Sequence, residues 1–193
     1  MRIGIFGGSF NPPHKMHLRI ALDLIDNDYL DKVIYVPTGS KYKYKNNLLP
    51  DKNRYEMLEI MTKDDERLLV SDFELKDKVV YTYETLEYFR SKYPSDEIYF
   101  VCGLDNLSYI DKWKNSENLL NNKFLVIKRS GDNFLDILNR LDKYKENIVI
   151  TDVVPSDLSS TMIRERIKNN DDVLDYVDYE ILNYIKENKL YEA

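Results

Sequence analysis

Short apolar, β-branched runs alternate along the chain with longer stretches in which apolar positions recur every three or four residues. The runs predict strands over 2–6, 32–36, 68–71, 97–102, 123–127 and 147–151. The periodic stretches predict helices over 14–25, 52–61, 82–92, 134–143 and 159–168. A last helix is predicted over 173–187, where Val173, Val177, Ile181, Leu182 and Ile185 form one apolar stripe. That stripe can pack on its own chain or on a second copy, so a homo-oligomer stays open. Strands that are apolar almost throughout, each followed by a helix, predict a parallel sheet covered on both faces, a doubly wound α/β arrangement. With no repeat and no Pro/Ser-rich linker, one domain spanning 1–193 is expected, the C-terminal helical segment of about 159–190 included. Such sheets bind ligands beyond the carboxyl ends of their strands. The segments to search are therefore 7–17, 37–45, 103–113 and 129–133.

Charge narrows the ligand. The net charge of −6 argues against a nucleic-acid partner, which would need a basic face. One stretch differs: Lys41, Lys43, Lys45, Lys52 and Arg54 lie close together against Asp51 alone. A small anionic ligand fits this better than a polyanion. The single cysteine, Cys102, has no disulfide partner and no metal-ligand neighbours, and is read as a small buried apolar residue. No signal peptide or membrane span is visible, so a cytoplasmic protein with no membrane partner is expected.

The loop after the first strand reads Gly7-Gly8-Ser9-Phe10-Asn11-Pro12-Pro13-His14-Lys15-Met16-His17-Leu18. Glycines let backbone N–H groups approach a ligand closely. Prolines stiffen the entry to a helix, whose N-terminus favours phosphate. His14 and His17, the two histidines of the chain, are three apart and share a helix face. An ordinary strand-to-helix turn would place both here only by coincidence. A metal site lacks a third ligand nearby. The G-x-G-x-x-G spacing of dinucleotide-binding folds is missing, as is an acidic residue after Val36.

The Gly-Gly-Ser-Phe-Asn-Pro-Pro-His-x-x-His-Leu loop resembles the nucleotidyltransferase superfamily with the H-x-G-H signature, and most closely the bacterial nicotinate mononucleotide adenylyltransferases. The resemblance continues in order. Thr82-Tyr83-Glu84-Thr85 resembles that family's T-Y-x-T segment. Gly103 and Asp105, with Trp113 after them, resemble its G-x-D…W segment, and Ser159-Ser160-Thr161-Met162-Ile163-Arg164 its S-S-T-x-I-R motif. Two departures stand out. Met16 occupies the place of the glycine between the histidines, and Thr38 to Lys45 replace the family's P-P-H-K loop.

The resemblance implies a Rossmann-like nucleotidyltransferase fold. It also implies transfer of AMP from ATP to nicotinate mononucleotide, by direct attack without a covalent intermediate, with Mg²⁺ accompanying the ATP. Gly7, Gly8, Ser9 and Phe10 would cover the triphosphate, with His14, His17 and Arg164 as catalytic groups. Ser159, Ser160 and Thr161 would cap a helix whose N–H groups face the β- and γ-phosphates. Gly103 and Asp105 would hold the ATP ribose. Trp113 would stack on the pyridine ring, with Thr82 and Thr85 near its substituent. Lys43 or Lys45 would neutralise the mononucleotide phosphate, and Arg129, after a strand end, would reach phosphate as well. Phosphopantetheine adenylyltransferases share the histidine loop but lack the G-x-D…W segment. A synthetase fragment would need a lysine-rich second signature. A nucleotide sensor would not require both histidines and Arg164.

Overall fold

The computed structural model describes residues 1–42 and 47–192. Its strands are β1 (Arg2–Gly8), β2 (Lys32–Pro37), β3 (Leu68–Val70), β4 (Glu97–Gly103), β5 (Lys123–Ile127) and β6 (Ile148–Ile150). All pair in parallel in the order β3-β2-β1-β4-β5-β6. The order reverses between β1 and β4, which opens a crevice beyond their carboxyl ends. Between and after the strands lie α1 (Lys15–Asp26), α2 (Asp51–Thr62), α3 (Thr82–Lys92), α4 (Leu104–Tyr109), α5 (Ser116–Leu120), α6 (Leu135–Arg140), α7 (Ser160–Lys168) and α8 (Tyr179–Glu187).

Period-two alternation along each strand separates two cores. Ile3, Ile5, Ile34, Val36, Phe100 and Phe124 face one side, packed with Leu86, Phe89 and Leu107 from α3 and α4. Val33, Tyr35, Val101, Leu125 and Ile127 face the other, packed with Ile20, Ala21 and Leu24 of α1 and Leu58 of α2. The expected doubly wound α/β sheet is thus observed, with β1 in the middle and its loop at the crevice.

Elements depart from the periodicity most in four places. β1 runs on to Gly8, because Gly7 and Gly8 still pair with Val36 and Pro37. The segment after β4 forms α4 and α5, too short to show a helical period. The predicted 134–143 helix is divided into α6 and a 3₁₀ turn, Asp142–Asn147. The last helix starts only at Tyr179, where the Asp178 side chain accepts the Glu180 N–H at 2.8 Å and caps it. Val173 and Val177 remain buried ahead of it, and the stripe packs on Met57 of α2 and Ile163 of α7 within the chain itself.

One side chain of the basic stretch is not on the surface. Arg54 is fully buried in α2. Its guanidinium donates to the Ser9 carbonyl at 2.9 Å and the Leu49 carbonyl at 3.0 Å, and pairs with Asp51 at 2.6 Å. Burial pushes its pKa down while Asp51 pulls it back up. Replacing it leaves two carbonyls without their donor and Asp51 without its cation. Arg54→Met is expected to lower unfolding free energy by about 3 kcal/mol in urea titration; a loss below about 1 kcal/mol would mean that water takes over as the donor.

Candidate active site

The loop after β1 is built over an aromatic floor. Phe10 adopts φ 46°, a left-handed conformation costly for a bulky residue. The turn drives its ring beneath the loop, where it is 1% exposed. It meets His17 edge-on at 4.9 Å and Tyr35 at 5.6 Å. A Cβ on Gly8 would stand 2.9 Å from the Phe10 ring, so glycine is needed for that approach. The Tyr35 hydroxyl, buried below, donates to the His17 carbonyl at 2.9 Å.

His14 precedes α1 as its cap, and its ring stacks on that of His17 with centroids 3.7 Å apart. His17 Nδ1 accepts the His14 backbone N–H at 3.1 Å. A neutral His17 must then carry its proton on Nε2, which makes that edge a donor. Burial lowers the His14 pKa to about 4. Burial first, and the neighbouring His14 second, push His17 well below its ordinary value. Both rings are therefore neutral near pH 7. His14 Nδ1 is the one buried side-chain polar atom among the described residues without a hydrogen-bond partner, an arrangement that buried polar groups avoid unless a ligand or water completes it.

Both histidines line a cavity of about 510 Å³ on the α1 side of the sheet. Gly103, Asp105, Arg129, Asp132, Ser159 and Ser160 line it too, with Met16 and Ile20 on an apolar wall. Ser159 caps α7 by accepting the Met162 N–H at 3.2 Å, as its sequence position predicted. The Ser160 hydroxyl donates instead to the Pro12 carbonyl at 2.8 Å. Arg164 stands beside the cavity. Its guanidinium donates to the Asn11 carbonyl at 2.8 Å and to the Thr161 hydroxyl at 3.2 Å. Arg129 opens on this cavity and not on the one holding Trp113, so its position lies apart from the mononucleotide group in which the sequence reading set it.

A smaller cavity of about 150 Å³ lies on the other face of the sheet edge. Gly7, Gly8, Thr38, Thr82, Asn106 and Trp113 line it, with Glu74 and Val80. Trp113 is held edge-on to Phe100 at 6.3 Å. Gly39 lies directly behind: a Cβ there would stand 2.3 Å from the Glu74 carbonyl oxygen. Thr85 does not line the cavity. It is 1% exposed, and its hydroxyl donates to Glu74 Oε1 at 2.7 Å. Ser9 and Phe10 line neither cavity; Ser9 gives its carbonyl to Arg54 and Phe10 forms the floor. Lys43 and Lys45 lie outside the described residues. Lys41 pairs with Asp77 at 2.8 Å.

Sequence reasoning missed Glu74, Thr38, Asn106 and Asp132 as lining residues. Thr38 and Asn106 directly follow a strand end and an assigned residue, and that adjacency was the available signal. Glu74 sits in an irregular segment between β3 and α3, where no periodicity marks a position.

The all-parallel sheet, the two cavities at its reversal point and the histidine pair at a helix start define a cytidylyltransferase-like protein, and the model of that family matches residues 5–166. A Clostridium acetobutylicum protein named as a probable nicotinate-nucleotide adenylyltransferase is 42% identical, over 97% of each chain. One of the same name from Clostridium tetani is 38% identical, also over 97% of each. The solved structure of Plasmodium falciparum nicotinic acid mononucleotide adenylyltransferase complexed with NaAD shares the fold, with a TM-score of 0.83 at 22% identity, over 98% of this chain and 97% of that one. The chain belongs to the nicotinate-nucleotide adenylyltransferase family of nucleotidyltransferases. Among the described residues no helix is long and apolar enough to cross a membrane.

The depressed histidine values set a pH dependence. Between about pH 4 and 6.5 the unfolded chain binds a proton at His14 that the native chain refuses. This contribution to stability is complete above pH 6.5 and is lost as pH falls toward 4. His17 acts in the same direction. Urea midpoints measured at pH 7 and pH 5 should therefore drop at the lower pH, and less in His14→Asn, where the His17 contribution remains. Nitrogen-15 spectra showing both imidazoles titrating near their ordinary value would overturn this reading of the burial.

Proposed function

We propose that the protein transfers the AMP unit of ATP to nicotinate mononucleotide. A phosphate oxygen of the mononucleotide attacks the α-phosphorus, the α–β phosphoanhydride bond breaks, and pyrophosphate leaves with that electron pair. No protein nucleophile forms a covalent intermediate. Family membership supports the reaction class. The stacked, neutral histidine pair on the larger cavity is the observation that carries the chemistry.

ATP is assigned to the larger cavity. There His17 Nε2–H donates to the α-phosphate, where charge gathers in the transition state. The unpartnered His14 Nδ1 completes its bonding through the same ligand or a bridging water. An anionic triphosphate opposes the effect of burial at His14, whose Nδ1 is free to take a proton, while His17 stays neutral because its Nδ1 accepts the His14 N–H. The first turn of α7, opened by Ser159 and Ser160, adds N–H groups and a positive helix end for the outer phosphates. Asp105 takes the ribose hydroxyls. Arg164 holds the loop through Asn11 and lends its charge from outside the cavity wall. The mononucleotide is assigned to the smaller cavity, with its ring against Trp113 and its phosphate directed past Gly7 and Gly8 toward the larger one. Lys43 or Lys45 is assigned to that phosphate by its charge. Thr85 acts through Glu74.

No three His, Cys, Asp or Glu side chains come together as metal ligands among the described residues. This fits a Mg²⁺ carried by the triphosphate and not caged by protein. Such an ion neutralises phosphate charge when bound. The steps assigned here to His14, His17 and α7 do not pass through it.

His17→Ala removes the donor at the reacting phosphate. Turnover is expected to fall about 10²- to 10³-fold, the loss typical of one transition-state donor, while ATP affinity changes little. Pyrophosphate release with ATP and Mg²⁺ reads this directly, with nicotinate mononucleotide, nicotinamide mononucleotide and phosphopantetheine compared as acceptors. Release that prefers phosphopantetheine would overturn the acceptor assignment. Release unaffected by His17→Ala would overturn the mechanism.

A further inference from the structure

Asn11 is 3% exposed and stands three residues before His14. It joins four separate segments of the chain. Its side chain donates to the Asn47 carbonyl at 3.0 Å and accepts the Leu49 N–H at 3.4 Å. Its backbone carbonyl accepts the Arg164 guanidinium. Its Oδ1 also accepts the hydroxyl of Tyr191 at 2.8 Å, across 180 residues of sequence. Tyr191 lies beyond α8 with φ 64°, a left-handed turn that swings the half-buried ring back toward the loop. Leu190 just before it is buried against the α2 and α7 side chains, which anchors the approach. A further tie runs in parallel, from the Lys15 N–H to the Tyr176 carbonyl at 2.9 Å.

We infer that Tyr191 is a positioning residue for adenylyl transfer: its hydroxyl fixes the Asn11 side chain, and so the histidine loop relative to Arg164 and to the segment at 47–49. This rests on the function proposed above. Asn11 lines neither of the two cavities described above, so it acts through what it holds. An amide side chain freed from one partner can rotate, and the loop it braces carries both histidines. Small misplacements of reacting groups cost far more in turnover than in affinity. The carbonyl bonds of Arg54 and Ser160 act on residues 9 and 12 and do not orient the Asn11 side chain.

Tyr191→Phe keeps the ring and removes the hydroxyl. The expected result is a kcat about tenfold lower with KM for ATP within about twofold, at an unchanged melting temperature. Asn11→Ala, which removes the bonds to Asn47 and Leu49 as well, should lower kcat at least as much, and the double variant should fall no further than Asn11→Ala, because the Tyr191 hydroxyl acts through that side chain. Wild-type kcat in Tyr191→Phe overturns the inference, as does a double variant whose losses multiply. Amide hydrogen exchange reads the same linkage without turnover. Faster exchange in Tyr191→Phe at residues 7–14 and 47–49, with the sheet unchanged, supports it; unchanged exchange at both segments overturns it. A wild-type chain without activity on any acceptor would sink the proposed function, and exchange would still decide the role of Tyr191.

Discussion

The guanidinium of Arg54, removed from water, fastens the histidine loop to the rest of the molecule. A buried charge is tolerated only where its donors are used. Here two carbonyls and one carboxylate use them. One carbonyl belongs to Ser9, in the loop after β1, and the other to Leu49, just ahead of α2. The loop cannot drift from α2 without stripping that charge of a partner. Everything above it inherits this constraint: the Phe10 ring is pinned below, and His17 rests on Phe10 and Tyr35.

The sheet order supplies the other half of the arrangement. β1 lies between β2 and β4, and the helices that follow these strands leave on opposite faces. One crevice therefore becomes two cavities separated by the Gly7-Gly8 backbone, a natural geometry for joining two anionic reactants end to end. Keeping both histidines neutral in the free protein has a similar logic. The stacked rings would repel if both were charged, and burial keeps both neutral.

Much of this was legible in the residues. The strands, their parallel pairing and the position of the loop follow from apolar runs and period. Strand ends were less legible, because Gly7 and Gly8 carry no side chain to signal that pairing continues through them. The N-terminus of α8 was hidden by Val173 and Val177, which are buried but not helical, so their apolarity mimicked a helical stripe. Among site residues, His14, His17, Ser159, Asp105 and Trp113 line the cavities as their motifs suggested. Arg54 could not be told from a surface cation, since burial of a charge depends on distant carbonyls that leave no local mark. Phe10 lies under the loop and Thr85 bonds Glu74, and neither lines the larger or the smaller cavity. A motif records which residues are kept together, and not which of them face the ligand.

The ties on the loop also order events in time. Residues 9 to 15 receive hydrogen bonds from residues 54, 160, 164 and 191, and Lys15 donates to the carbonyls of Tyr176 and Leu174. A ribosome makes both histidines and Arg54 long before the braces at 160, 164, 176 and 191. β1 must likewise wait for β4, some ninety residues on, before its second edge is covered. A nascent chain therefore carries the histidine loop for more than a hundred residues with its Arg54 brace but without those from 160, 164, 176 and 191, and the site is completed in a late step of folding.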